Sequence, residues 1–142
     1  MTTELPDVNV LLALHVAEHP AHPAATKWFR QANNVIVTPV SEIGLIRLLL
    51  NPAVVLREIT GEQALAAASH FRSLPNVRFE SDGTSLTDPK VRVTQLSGKG
   101  QVTDLHLFNL AVSLGARFVT LDRKFIAPLR SVEQHHVLML DA

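Results

Sequence analysis

At 142 residues the chain has the length of one domain and can bury a real core, and its apolar fraction of 46% excludes a disordered chain. Thirteen basic residues balance thirteen acidic ones, which excludes the basic coat of a general nucleic-acid binder but not an enzyme that touches a short stretch of RNA at one site. The absence of cysteine excludes disulfides and thiolate metal sites and fits a cytoplasmic location. No apolar run approaches the ~20 residues that span a bilayer, and the opening MTTELPDVNV lacks the basic region of a signal peptide.

In chain order, ELPDV reads as a first strand, although Pro6 removes one ladder donor. Val8, Leu11, Leu12 and His15 follow with helical spacing. AATKWFRQA is a second helix with Ala25, Trp28, Phe29 and Ala32 on one face, which places the single Trp in packing rather than base stacking. NNVIVTP is a turn and a short buried strand. Thr38 and Pro39 suit the N-cap and first position of a helix that Asn51-Pro52 stops. That helix is apolar almost all round, yet it carries Glu42 in its first turn. A carboxylate in such surroundings needs something to pair with it.

The alanine-rich GEQALAAASHFRSL is the next helix, NVRFE a third strand, and DPKVRVTQL a short helix opened by Asp-Pro. SGKGQ is a loop; it lacks the G-x-x-x-x-G-K-[ST] spacing of a phosphate loop. In VTDLHLFNLAVSLG, Thr103 is the expected cap, Leu107, Leu110, Ala111 and Leu114 the apolar stripe, and Gly115 the end. ARFVTLD and HHVLMLD are the fourth and fifth strands. Strands alternating with helices give an α/β fold, a parallel sheet of four to five strands with helices on both faces, in a single domain over residues 1–142.

The acids fall at particular places. Asp7 and Asp122 lie at the carboxyl ends of the first and fourth strands, and Glu42 in the first turn of the helix after the second. Open parallel sheets bind ligands outside those ends, near a topological switch point. Asp104 joins them if its helix starts at the same edge. Converging carboxylates repel one another, and a hard divalent cation such as Mg²⁺ or Mn²⁺ removes that penalty, activates water and stabilises a phosphodiester leaving group. Glu42 would then be tolerable because it faces a wet acidic metal pocket. Singly, each acid has a plainer reading, since first-turn carboxylates favour the helix dipole and Asp is a common cap.

LPDVNVLLAL, SEIGLIRLL, GKGQVTDLHLFNLA and FVTLDRKF resemble the four signature segments of PIN-domain ribonucleases, most of all the VapC toxins of bacterial VapBC toxin–antitoxin pairs. The resemblance covers nearly the whole chain. It implies a three-layer α/β/α sandwich around a parallel sheet, Mg²⁺- or Mn²⁺-dependent cleavage of RNA, a homodimer, and inhibition by a cognate antitoxin protein. It carries the family's acidic positions onto Asp7, Glu42, Asp104 and Asp122. Asp7, Asp104 and Asp122 would be the main metal ligands and Glu42 a ligand or base, with Asn9 and Thr120 as small polar residues near the metal. The neutral overall charge departs from what firm RNA binding leads one to expect.

Lys99, Arg123 and Lys124, together with Arg47, are candidate contacts to RNA phosphate. His19 with His22, and His135 with His136, have spacings that suit a transition metal, but capping or surface contacts fit them better beside a carboxylate-rich site. Two other functions compete. An acid-pocket phosphatase would use Asp7 as nucleophile, although that chemistry wants a second Asp where Asn9 stands. A non-catalytic PIN-like module would only bind RNA or a partner.

Overall fold

Five short strands, all parallel, form the centre of a computed structural model that describes residues 2–93, 96, 98 and 101–141. The elements run β1 (Thr3–Pro6), α1 (Val8–His15), α2 (His22–Gln31), β2 (Asn34–Val37), α3 (Pro39–Leu49), α4 (Pro52–Val55), α5 (Gly61–Arg72) and β3 (Val77–Phe79). They continue with α6 (Val102–Ser113), β4 (Arg117–Thr120), α7 (Arg123–Ile126), α8 (Ser131–Gln134) and β5 (Val137–Met139). The strand order is β3-β2-β1-β4-β5. The chain thus winds outward from β1 in one direction and then returns to build the other half, which puts the switch point between β1 and β4.

The two-residue period of the strands sorts side chains into two cores. Val35 and Val37 of β2 and Val119 of β4 join the helices α1, α2, α3 and α5 on one face. Leu5, Ile36 and Phe118 point the other way, against Leu105, Leu107, Phe108 and Ala111 of α6. Helices therefore cover both faces. Pro6 is tolerated in the central strand because it is the last residue of β1, and the next N–H, that of Asp7, reaches the Val119 carbonyl at 2.8 Å. Trp28 is buried, and its indole N–H donates to the buried Glu4 carboxylate, which also receives Arg117 at 2.7 Å.

Two expected details are corrected. Residues 88–93 form turns and irregular backbone rather than a helix, held in part by the Lys90 N–H donating to Asn109 Oδ1 at 2.7 Å. The N-cap position of α6 is Gln101, not Thr103. The Gln101 N–H bonds the Gly98 carbonyl and the helix begins at Val102, so Thr103 lies inside its first turn. Gly115 ends that helix in the left-handed region (φ 68°), as its lack of a Cβ allows. Among the described residues, no helix is long and apolar enough to cross a membrane.

Candidate active site

Asp7 follows the last residue of β1 and caps α1: its Oδ1 accepts the Val10 N–H at 2.8 Å. Its other oxygen accepts the Thr120 hydroxyl at 2.5 Å. Thr120 ends β4, directly across the switch point, and its Oγ1 also accepts the Asp122 N–H at 3.1 Å. One buried threonine thus ties the first aspartate to the backbone of the last. Asp122 caps the short α7 by accepting the Lys124 N–H at 2.9 Å. Asp104 occupies the first turn of α6. Because α6 runs antiparallel to the sheet between β3 and β4, its start lies at the carboxyl edge, where Asp7 and Asp122 stand.

Electrostatics joins these three. Burial, with a smaller contribution from Asp122, raises Asp7 to about 6 against the lowering effect of the Thr120, Val10 and Asn9 hydrogen bonds. Burial, then the charges of Asp7 and Asp122, raises Asp104 to about 7. All donors are hard oxygens, which suits Mg²⁺ or Mn²⁺ rather than an imidazole metal. Among the described residues no three acidic or imidazole side chains are closed into a ready cage.

Glu42 is handled differently. It is half-buried at the start of α3, and its Oε2 lies 3.6 Å from the guanidinium of Arg72, the last residue of α5. That guanidinium also stands 3.8 Å from the ring centroid of Phe79. Arg72 supplies a counter-charge that offsets the cost of Glu42 in its apolar helix. No signal in the sequence pairs position 72 with position 42, because they meet only through the packing of α5 on α3.

The supporting residues divide. Thr120 bonds Asp7 directly, whereas the Asn9 side chain is exposed and only its backbone N–H acts on Asp7. Arg123 is exposed and pairs with Asp141 at 2.7 Å; the Lys124 side chain is exposed beside it. Lys99 lies outside the described residues. His22 donates to the Ala13 carbonyl at 2.6 Å and His19 accepts the Ala21 N–H at 3.0 Å, so both imidazoles hold the α1–α2 turn.

The family model of the PIN domain matches residues 5–128. Over 123 residues the chain is 37% identical to Ribonuclease VapC39 of Mycobacterium tuberculosis, covering 84% of this chain and 88% of that protein. It is 36% identical to Ribonuclease VapC38 of the same organism over 119 residues, 82% of each. The crystal structure of M. tuberculosis VapC20, described as a sarcin-ricin loop cleaving toxin, superposes with a TM-score of 0.62. It covers 89% of this chain and 96% of that one at 19% identity, a likeness of fold.

Proposed function

The chain belongs to the PIN domain family and is an endoribonuclease of the VapC toxin type, and from that premise we propose that Asp7, Asp104 and Asp122 form its metal-dependent cleavage site, with Glu42 as the fourth carboxylate. The observation that carries this is the convergence of Asp7, Asp104 and Asp122 at the sheet's switch point, where burial raises Asp7 and Asp104 and the charges of neighbouring aspartates add to it, Asp122 on Asp7 and both Asp7 and Asp122 on Asp104. A bound Mg²⁺, for which Mn²⁺ can substitute, supplies a Lewis acid for a phosphodiester oxygen and for the attacking water. Asp7, Asp104 and Asp122 hold that cation, directly or through water. Thr120 fixes the rotamer of Asp7 and leaves its charge nearer the useful range by opposing the effect of burial. Glu42 serves as a further ligand or as the base that takes a proton from water, and Arg72 sets where its carboxylate rests.

The phosphatase reading wants a second acid two residues after Asp7, and Asn9 stands there with its side chain exposed. The partners proposed are an RNA substrate, a second copy of the chain and a cognate antitoxin protein, and the setting is the bacterial cytoplasm.

The test is cleavage of total RNA by purified variants. Asp7→Asn and Asp104→Asn should each lose ~100-fold or more of activity while retaining the wild-type circular dichroism. Full cleavage by either folded variant would remove that residue from the site, and robust RNA binding without cleavage by the wild type would favour the non-catalytic module.

A further inference from the structure

A second polar feature joins the segment after β3 to α6 and takes no part in the aspartate cluster. Asp82, in the connection between β3 and α6, is almost fully buried at its side chain and receives three hydrogen bonds. Two come from Thr84, from its N–H at 2.9 Å and its hydroxyl at 2.7 Å, and the third from His106 Nε2 at 2.5 Å. His106 lies two positions beyond Asp104 on α6, so it projects to a different side of that helix. The pair therefore clasps residues 82–87 against α6, outside the cleavage site. Within that segment the hydroxyls of Ser85 and Thr87 meet at 2.6 Å, and Ser85 Oγ accepts the Thr87 N–H.

The clasp forms the wall of an open groove of about 410 Å³. Val40, Leu86 and Val102 give it apolar surface; Thr84, Thr87 and Thr103 give it hydroxyls, and His106 an imidazole. Thr103 directly precedes Asp104, and Val40 stands two residues before Glu42, so the groove adjoins the acidic helix starts. The charge changes sharply between the two. Among the described residues no acidic side chain lines the groove, and Asp82 behind its wall is already paired. A phosphodiester held at the aspartates through a cation must place its neighbouring nucleotides to either side. An uncharged surface with apolar faces and hydroxyl oxygens that keep lone pairs to accept with, Thr84 donating its proton to Asp82 and Thr87 sharing one with Ser85, matches the flat edge-bearing base of an unpaired nucleotide.

We propose that this groove binds one unpaired nucleobase flanking the scissile phosphate of the RNA substrate, and that the Asp82–His106 clasp holds its wall in place. The proposal rests on the ribonuclease reading of the chain but not on which carboxylates hold metal. Thr87 and Thr103 contribute hydroxyls to base recognition, and Leu86 and Val40 an apolar face.

The experiment uses fluorescence anisotropy in chelator, so that binding is read without cleavage. The probes are short labelled single-stranded RNA oligonucleotides carrying one abasic ribose moved along the sequence. Wild type should lose about tenfold in affinity at one abasic position. The Thr87→Val/Thr103→Val variant, which keeps side-chain shape, should bind the intact probe a few-fold more weakly and be nearly indifferent to that abasic site. Asp82→Ala should behave the same way through the wall. Asp104→Asn should keep the abasic sensitivity, and its cleavage defect separates failure of the metal-site reading from failure of this one. Equal abasic sensitivity in the wild type and the Thr87→Val/Thr103→Val variant would overturn the proposal. So would wild-type affinity that no abasic position changes, or protection of the groove by a protein partner with RNA bound equally well.

Discussion

At the scale of residues, the metal-free site opposes the fold that makes it. Asp7 at about 6 and Asp104 at about 7 both lie above the ordinary value of 3.8, so the folded chain holds more protons than the unfolded one between those limits. Their contribution to stability is intact below about pH 4, falls as pH rises, and is fully lost once Asp104 has ionised, above about pH 7. Asp104 is not the N-cap of α6, which is Gln101, so replacing it removes a charge without removing a cap. In chelator at about pH 8, Asp104→Asn should melt a few degrees above wild type, and the gap should close toward pH 4. Added Mn²⁺ should raise the wild type more, since a ligand of the folded state alone stabilises by ~2.7 kcal/mol at a hundredfold excess over Kd. Calorimetric scans across that pH range check both. A variant that melts below wild type at the alkaline end would return Asp104 to a structural role. Asp7 is the poorer probe, because its loss also costs the cap on Val10 and the Thr120 bond.

At the scale of elements, the site depends on how closely α1 and α3 approach, because one follows Asp7 and the other carries Glu42. Gly44 permits that approach: a Cβ there would stand 2.6 Å from Val8 Cγ2 and 3.0 Å from Cγ1. Val8 is buried and β-branched, with little rotamer freedom in a helix, so the helices rather than the side chain must give. Gly44→Ala should therefore cost ~1–3 kcal/mol in urea unfolding and lower cleavage, and adding Val8→Ala should recover part of the loss. An unchanged midpoint for Gly44→Ala would mean that the contact does not constrain the helices. The elements that were legible in sequence are those whose local chemistry and periodicity agree. β2 is short and apolar, α3 opens on Thr38-Pro39, and α6 closes at Gly115, and each lies where those signals put it. The strand ends then fixed where Asp7 and Asp122 would lie. What was not legible depends on distant partners. The Asp-Pro signal at Asp88 opens no helix because that backbone bonds to Asn109 instead, and Glu42 finds Arg72 only after α5 packs on α3. The same holds for Asp82 and His106, which are 24 positions apart.

At the scale of the whole molecule, the surface is uneven. The helices α4 and α5 both pack on α3, and the three leave large apolar side chains in solvent. Leu56 is 85% exposed, Leu65 59% and Ile43 56%, with Leu50 and Val54 beside them on the same group of elements. Leu56 also holds a left-handed backbone (φ 61°) that an ordinary residue reaches only at some cost, so its exposure is not the relaxed default of a loop. A neutral chain has little net repulsion to keep such a face apart from its like. Apolar side chains exposed together on one group of elements suit association, and a second copy of the chain is the occupant that the family resemblance implies. Sedimentation velocity should show a wild-type dimer. Leu56→Asp and Leu65→Asp should shift it to monomer with unchanged circular dichroism, because neither side chain belongs to the cores that flank the sheet. If both variants sediment as the wild type does, the copies meet elsewhere. A wild type that is monomeric at every concentration would instead leave this face to a partner of another sequence, and the aspartate variants would then separate loss of that partner from loss of cleavage.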